Sequence, residues 1–322
     1  MASTANSMAS TAVDPLPSWN DGPAKRGVLV FVARVTTRGS TDFLPQSDRI
    51  AVFDNDGTLW PEKPMPFQAA FAIDELKRCT RTEPRLASDP MVQAALSGDL
   101  EKLLQGDHLD GLMQVLALTH AGMTVDEFRD AVEAWFKSAK HPRFGRPYDE
   151  LTYQPMQELL RYLRANGFKN FIVSGGGADF MRVWVERVYG IPPEQVVGST
   201  ARTKFELRES GPVLTKTLDY LFVNDGQGKP SGIHQFIGRR PTVCAGNSDG
   251  DHAMLQYTTR NNPGPGLGLI LHHTDDVREY AYDAETQSSG KLVEALEEAP
   301  RRGWLVVDMK QDWNAMFHRV HG

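Results

Sequence analysis

Cysteine is scarce in this chain, with only Cys79 and Cys244 in 322 residues. A single pair makes no disulfide framework, and without a Cys-x-x-Cys spacing nothing suggests a thiolate zinc site or a dithiol redox centre. Cys244 lies in an apolar strand candidate and reads as a small core residue. Positive charge is not in excess either. Thirty-five Lys and Arg against 41 Asp and Glu give a net charge of −6, and the basic residues are scattered apart from pairs such as Arg239-Arg240 and Arg301-Arg302. That excludes the basic footprint of a nucleic-acid binder. No apolar run approaches the ~18 residues that span a bilayer, so no membrane partner is expected. Residues 1–16 lack the charged and apolar regions of a secretory signal, and their small polar composition reads as a flexible tail. No internal repeat of solenoid period is present. At 40% hydrophobic and 24% charged residues, the expectation is an ordinary cytoplasmic globular protein. The oligomeric state leaves no mark in the sequence.

What is present falls into four segments. After the tail (1–22), residues 23–60 hold an apolar stretch at 24–36, strand or helix by its periodicity, and a strand at 49–53. Nearly all of residues 61–154 reads as helical, with no convincing strand. Candidate helices cover 66–80, 90–105 and 108–121, and another starts at the capping box Thr124-Val125-Asp126-Glu127. Residues 141–148 read as a return linker. An insert of this length is too long for a loop and predicts a smaller second domain. From 155 to 322 strands and helices alternate. Strands are expected at 171–173, 242–245, 267–271 and 304–307, a polar β-prone stretch at 196–223, and helices at 155–166, up to 189, near 233–237, up to 257, and at 277–282 and 291–298. Such alternation implies a doubly wound α/β fold with a mostly parallel sheet.

Four short features fall at strand ends or in nearby loops. The first, Asp54-Asn55-Asp56-Gly57-Thr58, places two carboxylates two residues apart beyond an apolar strand, so both lean to one site at its carboxyl end. Two carboxylates in different environments divide nucleophilic and proton-transfer work. The others are Ser174-Gly175-Gly176-Gly177, Lys229 in Gly228-Lys229-Pro230, and Gly246-Asn247-Ser248-Asp249-Gly250-Asp251. In this order, from about residue 49 to the C-terminus, they resemble the motifs of the haloacid dehalogenase superfamily, and within it the phosphoserine-phosphatase-like phosphatases. The helical insert stands where that family carries its cap.

The resemblance implies a Rossmann-like core (23–60 and 155–322), an all-helical cap (61–154) and a Mg²⁺-dependent phosphatase acting on a small phosphorylated metabolite. Asp54 would be the nucleophile that forms an aspartyl-phosphate, and Asp56 the general acid and then base. Ser174 and Lys229 would complete the catalytic set. Asn55, Gly57, Thr58, Gly175 and Gly176 would bind substrate phosphoryl oxygens. Mg²⁺ would be held among Asp54, Asp56, Asn247 and Asp251.

The fourth motif departs from the family pattern, because Asn247 stands where the first metal-binding Asp is expected. The resemblance thus implies weaker metal affinity, which Asn247→Asp is expected to raise. Asp249 is a rival ligand, and Asp251 also suits a role orienting Lys229 or a bound water. Lys216 rivals Lys229. Asp54 and Asp56 as mere helix caps, and an EF-hand or dinucleotide reading of these loops, fit less well: Leu59 and Met254 occupy the EF-hand glycine positions, and Phe180 follows the glycines at 175–177. His272, His273, Asp275 and Asp276 read as junction capping and solvation rather than a metal cluster. Phe67, Phe71, Met113, Trp135 and Phe136 read as core, and Lys63, Arg143, Arg146, Asp179 and Arg182 as surface. Asp56 favours phosphoryl transfer over dehalogenation, which has no alkoxide to protonate. A phosphotransferase or mutase, or a catalytically silent binding protein of the same fold, are the competing readings.

Overall fold

The computed structural model describes residues 13–99, 115, 119–286 and 289–317. Seven strands among them form one sheet in the order β4-β3-β2-β1-β5-β6-β7. These are β1 (Ile50–Phe53), β2 (Lys169–Gly177), β3 (Val196–Arg208), β4 (Gly211–Phe222), β5 (Val243–Gly246), β6 (Leu267–His272) and β7 (Leu305–Asp308). All neighbours pair in parallel except β3 and β4, which form an antiparallel hairpin at one edge. The polar stretch at 196–223 is that hairpin.

The central strands read as unbroken apolar runs because both faces are covered. Ala51 and Phe53 of β1 join one buried cluster, while Ile50 and Val52 join the other. Helices α1 (Pro23–Thr36) and α5 (Gln154–Ala165) fill the first face through Val28, Phe31, Val32 and Val35, and through Met156, Leu159, Leu160 and Leu163. Helices α9 (His252–Thr259) and α10 (Glu294–Arg302) cover the second. The stretch at 24–36 is therefore a helix. Its buried residues follow the i, i+3, i+4, i+7 pattern, and Val30, which a strand would bury beside Val28 and Val32, is 63% exposed.

Between β1 and α5 the described residues hold no strand of the sheet. Helices α2 (Phe67–Thr82), α3 (Pro90–Ser97) and α4 (Val125–Ser138) occupy this insert. Thr124 and Glu127 form the expected capping box of α4. The helix expected at 90–105 ends early, at Ser97, because Gly98 turns left-handed (φ 74°). Most of the one expected at 108–121, Met113 included, lies outside the described residues. A small cluster (Ala72, Ile73, Leu76, Val92, Ala95, Val115) is internal to the insert. Its aromatic side, however, shares a core with the sheet domain. Trp60 stacks on Trp184 at 4.1 Å, and Phe136 of α4 lies 5.7 Å from Phe180. After β2, Phe180 lies in the short helix α6 (Ala178–Arg182), and Trp184 immediately precedes α7 (Val185–Tyr189).

Residues 277–282 depart from expectation, forming a turn rather than a helix. The Asp275 carboxylate takes the Val277 and Arg278 N–H groups, Arg278 donates onward to the Met309 and Trp313 carbonyls, and Tyr282 N–H returns to the His273 carbonyl at 3.0 Å. A local side-chain bond thus takes the first N–H groups, and the Tyr282 N–H goes to His273 rather than to the Arg278 carbonyl a helix would use. The last elements are α8 (Gly228–Gly232), which carries Lys229, and α11 (Met309–Asp312). Among the described residues no helix is long and apolar enough to cross a membrane.

Candidate active site

Side chains from three motifs meet at the carboxyl ends of the parallel strands, where open α/β sheets place their sites. Asp54 follows β1 directly, and its N–H donates to the Ala245 carbonyl of β5 at 2.9 Å. Lys229 enters from α8, 2% exposed, and donates to Asp54 Oδ1 at 2.9 Å and Asp251 Oδ1 at 2.5 Å. The rival Lys216 lies elsewhere, paired with Asp179 and 4.6 Å above the Phe128 ring. Burial works against the Lys229 ammonium, but the charges of Asp251, Asp54 and Asp225 outweigh it and raise its pKa. Burial raises the Asp54 carboxyl well above the usual range, and the Asp251 and Asp56 charges add to it against the pull of Lys229.

Asp56 has a different environment. Burial pushes its carboxyl up to about 7, with the Trp60 hydrogen bond and the Lys229 charge opposing and Glu62 adding to the rise. Trp60 Nε1 donates to Asp56 Oδ1 at 2.7 Å, and Oδ2 lies near Gly176, 3.6 Å from where a Cβ on that glycine would sit. Burial thus raises both acids, but an ammonium contacts Asp54 whereas an indole N–H contacts Asp56.

The second motif is not a loop, because β2 runs through Ser174 to Gly177. Ser174 is 1% exposed, and its Oγ accepts from Gly176 N–H at 3.1 Å. The glycines permit close approach. A Cβ at Gly175 would lie 3.2 Å from the Asp225 carboxylate, and one at Gly177 would lie 2.7 Å from the Gln68 amide nitrogen. Gln68 belongs to α2 of the insert, and its Oε1 accepts the Gly177 N–H at 2.7 Å, so the insert is tied to this motif.

Residues 55, 57 and 58 sit inward. Asn55 Oδ1 accepts from the buried Tyr189 hydroxyl at 3.3 Å. Gly57 is left-handed (φ 74°), and a Cβ there would collide with the Asn247 amide and the Glu62 carboxylate. Thr58 is fully buried and donates its hydroxyl to Asn247 Oδ1 at 3.1 Å.

In the fourth motif, Asn247 donates through Nδ2 to Glu62 Oε1 at 2.6 Å. Asp251 is fully buried, and its Oδ2 accepts from the Asn247 and Ser248 N–H groups at 2.9 and 3.1 Å, with Oδ1 on Lys229. Asp249 faces away. Its carboxylate accepts from Val293 and Ala295 N–H at the start of α10, the work of a helix cap.

Several residues at the site carry no signal in the sequence. Trp60, Glu62 and Gln68 fall where chain direction alone does not place them. His273 is neither capping nor solvated, in contrast to expectation. It is 3% exposed, meets the Gly57 carbonyl at 2.7 Å and Glu279 at 3.0 Å, and stacks on Tyr282 at 4.3 Å. Tyr282 in turn donates to Glu62 Oε1 at 2.8 Å. The turn at 273–282 therefore braces the first motif. Among the described residues, no three His, Cys, Asp or Glu side chains converge on one metal position.

A family model described as haloacid dehalogenase-like hydrolase matches residues 51–256, more than half of the chain. No curated protein matches the sequence. A conserved, functionally unknown protein from Anaerococcus prevotii DSM 20548 is similar in structure, with a TM-score of 0.54 and 16% identity over 88% of this chain and 90% of that one. A protein with unknown function from Bordetella pertussis Tohama I gives 0.47 and 18% over 81% and 98%. A phosphoserine phosphohydrolase-like protein from Francisella tularensis subsp. tularensis SCHU S4 gives 0.38 and 14% over 79% and 98%. At such identities the first of these likenesses speaks to the fold alone.

Proposed function

Because this chain belongs to the haloacid dehalogenase-like hydrolase family, we propose that it is a Mg²⁺-dependent phosphomonoester hydrolase working through an aspartyl-phosphate. Its substrate is a small phosphorylated metabolite, and residues 61–154 act as its cap. The observation that carries this reading is the difference in partners of the two carboxylates. Asp54 accepts from the Lys229 ammonium at 2.9 Å, whereas Asp56 accepts from the neutral Trp60 indole at 2.7 Å.

In the first step an Asp54 carboxylate oxygen forms a bond to phosphorus while the ester P–O bond breaks. Asp56 gives its proton to the leaving oxygen. In the second, Asp56 takes a proton from water as that water attacks phosphorus, the bond to Asp54 breaks and inorganic phosphate leaves. Lys229, Ser174 and the N–H groups of Asn55 and Gly175 hold phosphoryl oxygens as charge spreads over them, while the Gly176 N–H is engaged by Ser174 Oγ. Asp251 keeps Lys229 in place, with both of its oxygens already engaged.

The donor set fits a hydrated divalent cation. Asp54 Oδ2 and the Asp56 carbonyl accept no hydrogen bond from the described residues, and Asn247 Oδ1 accepts one. All three are oxygens, and so few protein ligands suit Mg²⁺, which keeps several waters. When bound, Mg²⁺ would neutralise phosphoryl charge that otherwise repels the carboxylates. Asp54, Ser174 and Lys229 are each at most 7% exposed, and a site so enclosed favours a small molecule. Hydrolysis of an aryl phosphate with and without Mg²⁺ tests the reading. Metal-dependent turnover abolished by Asp54→Asn is expected, and turnover that survives the substitution overturns it.

A further inference from the structure

We infer that Glu62 supplies, one residue removed, the negative charge that the fourth motif lacks at Asn247, and that it sets the direction in which Asn247 presents its amide oxygen. This rests on the Mg²⁺ reading above and deepens it.

Three observations lead there. Glu62 is 2% exposed, and its Oε1 lies 2.6 Å from Asn247 Nδ2. A carboxylate only accepts, so it fixes the amide with NH₂ toward Glu62 and Oδ1 away from it, on the Thr58 side. Glu62 is itself held by the Tyr282 hydroxyl at 2.8 Å on the same oxygen, and its other oxygen accepts no hydrogen bond from the described residues. The packing around the pair is tight, because Gly57 has no room for a Cβ against either side chain. The site therefore keeps a carboxylate and an oxygen donor at this corner but divides them between two residues. The arrangement is a charge transposed from the motif to the segment after it, and Glu62 is a positioning residue.

This reverses the expectation for Asn247→Asp. An aspartate at 247 would face Glu62 at about hydrogen-bond distance, two buried carboxylates with no donor between them, and the gain in ligand charge would be offset by their repulsion. The paired exchange, Glu62→Gln with Asn247→Asp, restores one carboxylate and one amide in contact with the roles swapped.

The test is a calorimetric Mg²⁺ titration of the full chain after chelator treatment, for wild type, Glu62→Gln, Asn247→Asp and the double variant, with thermal melts alongside. Glu62→Gln is expected to weaken Mg²⁺ about 10- to 100-fold, as loss of a ligand's supporting partner does. Asn247→Asp is expected to bind no more tightly than wild type. The double variant is expected to bind more tightly than either single one. Wild-type binding that Glu62→Gln leaves unchanged overturns this inference alone. So does tighter binding by Asn247→Asp with Glu62 intact, which is informative even where Glu62→Gln fails to fold. No Mg²⁺ binding by folded wild type overturns the functional reading and this inference with it.

Discussion

Replacing Lys229 by Met removes the one ammonium that touches both Asp54 and Asp251 and keeps nearly the same volume. All three groups are buried, so the substitution leaves two carboxylates without a cation in contact. Breaking a buried ion pair from one side costs about 3–5 kcal/mol. An unfolding entropy of about 2.1 cal/mol/K per residue over 322 residues turns that into a Tm lowered by roughly 4–7 °C. The cost should also depend on pH. The folded-state pKa of Asp54 already lies above its unfolded value, and loss of Lys229 raises it further. A carboxyl of that kind destabilises the fold increasingly as pH rises from its unfolded pKa toward its folded one. Urea unfolding at pH 6 and pH 8 should therefore show the larger deficit at pH 8. Adding Asp251→Asn, which removes one of the stranded charges, should recover part of it. A deficit under about 1 kcal/mol at pH 8, or one that does not change with pH, would refute the argument. Independently of stability, turnover of an aryl phosphate should fall at least about 100-fold, the scale of losing one charge-stabilising donor.

Two further outcomes follow from the geometry. Trp60→Phe removes a hydrogen bond that lowers the Asp56 pKa, so the alkaline limb of kcat/KM toward an alkyl phosphate, where Asp56 loses its proton, should move to higher pH. A limb that stays put would mean that another group donates the proton. Asp249→Ala should cost about 1 kcal/mol in urea unfolding, as loss of a helix cap does, with Mg²⁺ affinity within about twofold in a calorimetric titration. A large loss of metal binding would return Asp249 to the ligand set.

The local sequence carried much of the architecture because the information was periodic or punctuated. Unbroken apolar strands flanked by amphipathic helices specify a parallel sheet covered on both faces, as the alternate assignment of Ile50, Ala51, Val52 and Phe53 to two cores shows. The capping box at Thr124 marks a helix start through bonds made within four residues. Two expected helices failed for different reasons: the left-handed Gly98 ends the one at 90–105 locally, whereas at 277–282 the Tyr282 N–H reaches the His273 carbonyl, where a helix would use that of Arg278.

The candidate site divides along the same line. Asp54, Asp56, Ser174 and Lys229 were legible because each stands in a short motif next to a strand end or helix start. Chain order alone left Lys216 and Lys229 as rivals, and the fold separates them by placing one on the hairpin against Asp179 and the other against Asp54. The same holds for Asp249, whose short side chain meets the start of α10 more than 40 residues away. Trp60, Glu62, Gln68, His273 and Tyr282 surround the motifs only after the chain has folded back. By itself the sequence determined the chemistry on offer at the strand ends: two carboxylates, a serine, a lysine and an amide where an acid was expected. Only the tertiary structure decided their charge balance, because burial and contacts such as Glu62 on Asn247 and Trp60 on Asp56 depend on distance in space, and spacing along the chain does not encode it.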